Sequence, residues 1–293
     1  LIGQIIFLNY IKCKNLILTL PDLENYYIKK SKSCKKYSYL FHSPVSVHMI
    51  YRDKAFFNYD EIFCVGRHQF DELEKYKNKY NLKNLNLIKA GYPKLDYLSE
   101  KYHEADFEKN KISVAPSWGK ENILDLDLKQ TFEKILTQGY SINFRPHFQM
   151  LRNNNKKILS LKKNFENNKK FYFEDKNVEF SNIVDSEFLV TDWSGIGIEF
   201  AFITERPVLF IDVPKKVNNI KYNDLDIIPL EEKIREQIGI IVKPLEFNNL
   251  NHYLNILKND KEKFKVNIQK KRDEYIYNFK NSSNLITQNI LEN

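Results

Sequence analysis

Short apolar runs that end in turn residues alternate with longer amphipathic segments along this chain. The runs predict ten strands, with amphipathic helices between most of them. Nearly continuous apolar strands that alternate with helices are typical of parallel sheets covered on both faces. The pattern therefore predicts an α/β protein. The predicted strands are 15–21, 37–44, 61–66, 84–93, 111–118, 140–147, 170–175, 186–192, 206–212 and 238–244.

A polar stretch at 104–111 carries no periodicity and divides the strands into two series. We interpret it as a linker between two Rossmann-like, doubly wound domains. The first covers residues 1–108, and the second covers 109–293 together with a helical, Lys-rich C-terminal segment. Because the chain begins with Leu1, we expect the first domain to be truncated upstream. Ligands of such sheets bind beyond the carboxyl ends of the strands.

Composition narrows the choice of partners. The formal net charge is +8, which is compatible with nucleic acid, an anionic membrane surface or phosphorylated substrates. The aromatic residues lie in the apolar strands rather than between basic residues, which argues against nucleic acid. Much of the charge lies in Asn/Lys-rich runs such as 153–170, which are typical of a solvated surface.

The sequence supports neither a membrane-spanning protein nor a metal-binding protein. No apolar run approaches the ~20 residues that span a bilayer, so we expect a cytoplasmic protein. The three cysteines have no metal-like spacing, and no cluster of His and acidic residues has the pattern of a metal site. We therefore expect idle thiols in a reducing compartment, and the sequence gives no reason to require a cofactor or a metal.

The stretch SEFLVTDWSGIGIEFAF at 186–202 carries the clearest chemical signal. Asp192 ends an apolar strand, Ser194 stands where the N-cap of a helix belongs, and Gly195 and Gly197 fall in the first helical turn. Helix N-termini bind phosphate, and glycines let an anion approach the backbone closely. A tight strand–helix turn capped by Ser194 is the alternative interpretation, but it does not explain both glycines.

Other chemically useful residues also follow predicted strands. Arg145 and His147 end one strand and suit phosphate binding, although a surface Arg and a packed His would give the same pattern. His42 follows another strand and is a candidate general base. Ordinary turns would explain the remaining candidates for substrate contact equally well; these are Ser43, Tyr92, Lys94, Ser117 and Trp118.

Five motifs occur in a fixed order: His-Ser-Pro at 42–44, GYPKLD at 91–96, APSW at 115–118, RPH at 145–147 and TDWSGIGIEF at 191–200. In this order they resemble the CDP-glycerol glycerophosphotransferase family, which builds teichoic acids and capsule polymers. The resemblance spans roughly 38–212. It implies a GT-B fold with an active site between two Rossmann-like domains. It also implies transfer of glycerol phosphate from CDP-glycerol to a hydroxyl of a lipid-linked or polymeric acceptor, with release of CMP at the cytoplasmic membrane face.

The same resemblance implies roles for individual residues. His42 and His147 match the two essential histidines, and Arg145 lies beside the donor phosphates. Asp192, Ser194 and Gly195 match the loop that holds the pyrophosphate. We also count Ser117, from the APSW motif, among the phosphate- and nucleotide-binding candidates. Glu199 matches an acidic residue that contacts donor hydroxyls.

Two departures leave the exact donor open among CDP-glycerol, CDP-ribitol and a nucleotide sugar. His-Ser-Pro replaces the usual His-Gly-x-Pro, and Trp193-Ser194-Gly195 replaces Tyr-Ser-Ser. A GT-B glycosyltransferase that uses a nucleotide sugar is therefore one alternative, because fold does not fix chemistry. A non-enzymatic, basic adaptor at the membrane surface is the other.

Overall fold

The computed structural model of the protein describes residues 8, 10–102, 107–153, 155–174 and 180–292. The chain forms two compact units. The first unit consists of Leu1–Tyr97, Val217–Leu230 and Asp273–Asn293, and the second consists of Leu98–Lys216 and Glu231–Arg272. The sequence predicted a division into 1–108 and 109–293, which would put Val217–Leu230 and Asp273–Asn293 in the second domain. In the structure these two segments belong to the first unit, because the chain re-enters that unit twice.

The first unit contains a four-stranded sheet in the order β1-β2-β3-β4, and every described pairing in it is parallel. Its strands follow chain order, with Cys13 and Cys34 as register partners at the start of the first pair. The strands are Cys13–Leu18 (β1), Cys34–Leu40 (β2), Glu61–Cys64 (β3) and Asn86–Lys89 (β4).

The second unit contains a six-stranded parallel sheet in the order β10-β9-β8-β5-β6-β7. Counted from its first strand in the chain, this is the 3-2-1-4-5-6 order of a Rossmann fold. The strands are Glu108–Ala115 (β5), Ser141–Phe144 (β6), Phe171–Phe173 (β7), Ser186–Thr191 (β8), Val208–Ile211 (β9) and Gly239–Val242 (β10). Every residue of β6, β8 and β9 is buried, as is typical of parallel strands covered on both faces of the sheet.

Twelve α-helices lie in the described residues. They are Val47–Ile50 (α1), Arg67–Lys79 (α2), Pro93–Lys101 (α3), Leu128–Thr137 (α4), Phe148–Arg152 (α5), Lys156–Phe165 (α6), Ser181–Val184 (α7), Ile196–Thr204 (α8), Leu230–Ile238 (α9), Leu250–Asn259 (α10), Lys261–Tyr275 (α11) and Ser282–Glu292 (α12). None of the helices in these described ranges is long and apolar enough to cross a membrane.

Each of the ten predicted strands coincides with an observed one, but the predicted linker at 104–111 is partly wrong. Residues 104–106 lie outside the described part of the chain, while Glu108 already begins β5. The polar start of β5 pairs through its backbone with β8, where Glu108 opposes Ser186. Backbone hydrogen bonds do not require apolar side chains, so the sequence pattern could not reveal this extension.

The last segment of the chain returns to the first unit over two glycines at strand ends. The Tyr277 N–H donates to the Val65 carbonyl at 3.0 Å. A Cβ on Gly66 would lie 1.5 Å from the Tyr275 carbonyl oxygen, and one on Gly91 would lie 2.3 Å from that of Tyr277. Gly91 also has φ +99°, which other residues rarely adopt. Both positions therefore admit only glycine.

Asp96, from the GYPKLD motif, fixes the start of α12. Its side chain is 5% exposed and accepts hydrogen bonds from the N–H groups of Lys280 and Ser282, both at 2.8 Å. The Ser282 hydroxyl donates to the same carboxylate. The motif thus holds the C-terminal helix in the first unit.

We expect Asp96→Ala to lower the free energy of unfolding by about 2 kcal/mol or more, because the buried Ser282 N–H and the partly buried Lys280 N–H would lose their acceptor. Urea denaturation followed by circular dichroism measures this change. Asp71→Ala is the matched control, since Asp71 is exposed and pairs with Arg67 within α2 at 3.4 Å. It should change stability by less than about 0.5 kcal/mol. Equal midpoints for the two variants would contradict the anchoring role.

Candidate functional site

Two loops of the second unit leave the sheet where its strand order reverses. β5 and β8 are parallel neighbours, but the chain continues from them toward opposite edges of the sheet. The crevice beyond the carboxyl ends of such strands is the usual ligand site of open α/β sheets. The loop after β5 carries Ser117 and Trp118, and the loop after β8 carries Asp192 and Ser194.

The Asp192 carboxylate ties these two loops together. It is 1% exposed and accepts from the Ser117 N–H at 2.9 Å and from the Ile123 N–H at 3.2 Å. Burial raises the pKa of Asp192, while the hydrogen bonds from Ser117 oppose that rise. The carboxylate therefore serves first as an acceptor for loop backbone.

Ser117 is directed at Asp192 rather than at solvent. It is 3% exposed, and its N–H donates to the Asp192 carboxylate. We expected it among the phosphate- and nucleotide-binding residues. The contact that it makes is with Asp192, and this contact makes it a support of the loop.

Helix α8 begins differently from the sequence prediction. Gly195, not Ser194, is the N-cap, and the Ser194 carbonyl accepts from the Gly197 N–H at 3.1 Å. Because glycine has no side chain, the N-cap supplies no oxygen to the first N–H groups of the helix, which carry partial positive charge. Ser194 and Gly195 are both partly exposed, as an anion site at this end requires.

Gly197 has a packing role instead of the predicted role in anion approach. A Cβ there would lie 2.7 Å from Cε1 of Phe210 and 3.1 Å from Cγ2 of Thr191. The glycine therefore lets α8 lie close to β8 and β9. Glu199, in the first turn of the same helix, is 5% exposed, and its role toward donor hydroxyls stays a prediction.

Arg145 follows β6 and is held by a buried polar network. Its guanidinium Nη1 lies 3.4 Å from Oε2 of Glu174. Glu174 is 6% exposed and accepts from Nδ2 of Asn143 at 2.9 Å. The Arg145 N–H donates to the Val114 carbonyl at 2.9 Å. Sequence reasoning identified Arg145 but missed Glu174. Glu174 comes directly after β7, the strand that neighbours β6.

His147 is the N-cap of α5 and has a defined tautomer. Its Nδ1 accepts from the Gln149 N–H at 3.2 Å, which assigns the proton of the neutral ring to Nε2. Burial, with contributions from Lys216 and Arg145, lowers the pKa of His147 to about 4. The ring is thus neutral at physiological pH and presents one N–H donor.

Lys216, which sequence reasoning missed, lies among these groups. Its Nζ is 4.5 Å from the centroid of the Trp118 ring, and the Trp118 and His147 rings are 5.8 Å apart and tilted by 32°. Burial lowers the pKa of Lys216 to about 8, and Asp192 opposes this change. Lys216 follows β9, so the rule that led to Arg145 and His147 would have led to it as well.

Arg235, a buried cation, packs against the loop that follows β8. The Arg235 guanidinium lies 4.0 Å from the centroid of Trp193 and pairs with Asp212 at 3.2 Å. The Trp193 indole N–H donates to the Val213 carbonyl at 2.7 Å. Trp193, which stands where the family usually has Tyr, is therefore held in place by contacts with Val213 and Arg235.

The other predicted site residues belong to the first unit. His42 is exposed just beyond β2, and its carbonyl accepts from the Tyr92 hydroxyl at 2.7 Å. Tyr92 is 2% exposed and positions the His42 backbone, and its contact with substrate stays a prediction. Ser43 is half-buried and Lys94 is exposed. Among the described residues, no group of three or more His, Cys, Asp or Glu could hold a metal ion.

Comparison with known proteins assigns the family. The sequence profile of CDP-glycerol:poly(glycerophosphate) glycerophosphotransferases matches residues 58–292. The chain belongs to this family. The profile includes the RPH and TDWSG loops but begins after His42.

A relative from Bacillus subtilis agrees with the family assignment. The chain is 20% identical over 236 residues to the minor teichoic acid biosynthesis protein GgaB of Bacillus subtilis (strain 168). That match covers 74% of this chain but only 25% of GgaB, so the chain spans about a quarter of that relative.

Solved structures place the chain among GT-B-like proteins. The wall teichoic acid polymerase TagF, solved after a soak with CDPG, matches with a TM-score of 0.55 and 18% identity, over 95% of this chain and 73% of TagF. A candidate UDP-N-acetylglucosamine 2-epimerase from Listeria monocytogenes matches with a TM-score of 0.52 and 12% identity, over 87% of this chain and 67% of its own. The predicted α/β, GT-B-like fold is confirmed.

The environment of His147 gives a pH prediction. Its ring should stay neutral down to about pH 4, because burial and neighbouring cations oppose protonation. The unfolded chain binds this proton near pH 6.5, so the free energy of unfolding should fall as pH decreases from 6.5 toward 4. Two-dimensional NMR measures the midpoint, and the spectrum of His147→Gln assigns the resonance. A midpoint near 6.5 would contradict this environment.

Proposed function

We propose that this protein transfers glycerol phosphate from CDP-glycerol to a hydroxyl of a polymeric acceptor and releases CMP. The observation that carries the proposal is the match of the family profile to residues 58–292. This range includes every phosphate-binding candidate beyond β6 and β8. The fold it shares with TagF, a wall teichoic acid polymerase, supports the same conclusion.

The donor diphosphate would bind to the second unit. Arg145 offers a guanidinium that binds phosphate oxygens in pairs, and His147 offers a neutral Nε2–H donor. The N-terminus of α8, beyond Ser194 and Gly195, offers backbone N–H groups and the positive end of the helix dipole. Asp192 and Ser117 would act indirectly, since they hold the loop that presents this helix end.

His42 would act as the general base. In the reaction, the acceptor hydroxyl oxygen attacks the phosphorus that carries glycerol, and the bond from this phosphorus to the bridging oxygen breaks. CMP leaves with that oxygen, and the proton of the hydroxyl passes to the His42 imidazole. Donors fixed on Arg145, His147 and the α8 N-terminus compensate the charge on the transferred phosphoryl group and on CMP. His42 precedes the matched profile, so its role rests on its exposed position beyond β2.

The acceptor would be a growing teichoic-acid-type polymer or its lipid-linked precursor. The names of GgaB and TagF support this class of acceptor. Work on such an acceptor would take place at the inner face of the membrane, and the net charge of +8 would favour an anionic lipid surface. No nucleic acid enters the reaction.

A thermal-shift screen tests the choice of donor. We expect CDP-glycerol to raise the melting temperature more than CDP-ribitol, UDP-sugars or CMP-linked sugars, because only a bound ligand stabilises the native state. Stabilisation by a UDP-sugar alone would instead support the glycosyltransferase alternative. Binding to anionic liposomes with no response to any nucleotide would support the adaptor.

We expect His42→Ala to lower turnover of CDP-glycerol by about 10²-fold or more, the scale of general-base loss. Release of CMP in the presence of acceptor measures the rate. His252→Ala is the matched control, because His252 is exposed on α10 and has no assigned role. A His42→Ala rate equal to that of the control would remove His42 from the mechanism.

A further inference from the structure

Lys216 differs from its neighbour Lys215 in the way its charge is compensated. Lys215 is exposed and pairs with Glu232 at 2.7 Å. Lys216 is partly buried, and none of the described carboxylates lies within ion-pair distance of its Nζ; instead the ammonium lies 4.5 Å from the Trp118 ring centroid. An aromatic face attracts an ammonium but does not neutralise it.

The surrounding charges leave this ammonium in a locally positive region. Burial is the main reason that the pKa of His147 is low, and the positive charges of Lys216 and Arg145 lower it further. Asp192, the acidic group whose charge acts on Lys216, has its two oxygens engaged by the N–H groups of Ser117 and Ile123. Partial burial makes an uncompensated cation costly. The arrangement therefore favours an anion that several donors share.

The geometry points to Lys216 as a direct ligand of the diphosphate of the nucleotide donor, held ready by the Trp118 ring and adjacent to His147. This inference rests on the proposed function for the identity of the donor. It adds a cation from the loop after β9 to the groups already placed after β6 and β8. The class of ligand is a polyphosphate, because a single compact ammonium, a guanidinium and an N–H donor together suit several phosphate oxygens.

Inorganic pyrophosphate tests this role without the base or the glycerol. We expect Lys216→Met to weaken pyrophosphate binding about tenfold or more, the scale of one charge-assisted hydrogen bond. Lys216→Arg should retain most of the affinity, since it keeps the charge. Lys215→Met is the matched control and should bind like the original protein. Calorimetry measures the three affinities, and circular dichroism confirms that each variant is folded.

Fluorescence gives a second, independent readout. The chain has two tryptophans, and Trp193 is 6% exposed while Trp118 is 43% exposed. Pyrophosphate should change the emission as Lys216 turns from the ring toward the anion. Trp118→Phe should abolish that change, whereas Lys215→Met should preserve it.

The outcomes separate this inference from the proposed function. If Lys216→Met binds pyrophosphate within twofold of the original protein, or if the original protein does not bind it, the role of Lys216 is overturned even where CDP-glycerol turnover is observed. If pyrophosphate binding depends on Lys216 but CDP-glycerol is not turned over, the anion ligand stands and the proposed reaction fails. Equal losses in Lys216→Met and Lys215→Met would show only a general charge effect and would also overturn the inference.

Discussion

The candidate donor site depends on the hydrogen bonds that the Asp192 carboxylate accepts from the Ser117 and Ile123 N–H groups. This carboxylate lies at the reversal of strand order and accepts N–H groups from the loop that follows the neighbouring strand. A buried carboxylate without such donors would cost several kcal/mol, so the loop and the carboxylate stabilise each other. The start of α8 and the segment that carries Trp118 are both fixed by this contact.

Around that anchor, the second unit places cations and N–H donors from three different strand ends. Arg145 and His147 follow β6, Lys216 follows β9, and the first N–H groups of α8 follow β8. Two of these groups are held by further contacts: Glu174 pairs with Arg145, and the Gln149 N–H at the start of α5 donates to His147. Preorganised donors need little rearrangement when charge develops, which is the main requirement of phosphoryl transfer.

In the first unit, residues of the GYPKLD motif mainly support the backbone. Asp96 and Gly91, both from GYPKLD, hold the returning C-terminal segment, and Tyr92 from the same motif holds the His42 carbonyl. A motif can therefore signal a functional region while most of its side chains support the backbone. His42, in the same unit, is exposed just beyond β2 and carries an imidazole that can take up a proton.

The sequence by itself determined the ten strands, their parallel character and the loops that carry Arg145, His147 and Ser194, because apolar runs and the polar residues after them are local features. It could not determine which polar groups face one another. Ser117 and Asp192 are separated by 75 residues, and Lys216 reaches Trp118 from a different strand end. Only the tertiary structure decided that Asp192 supports the loop, that Gly197 packs against Phe210, and that the C-terminal helix returns to the first unit. These outcomes depend on burial and close contact between distant segments, which no local pattern encodes.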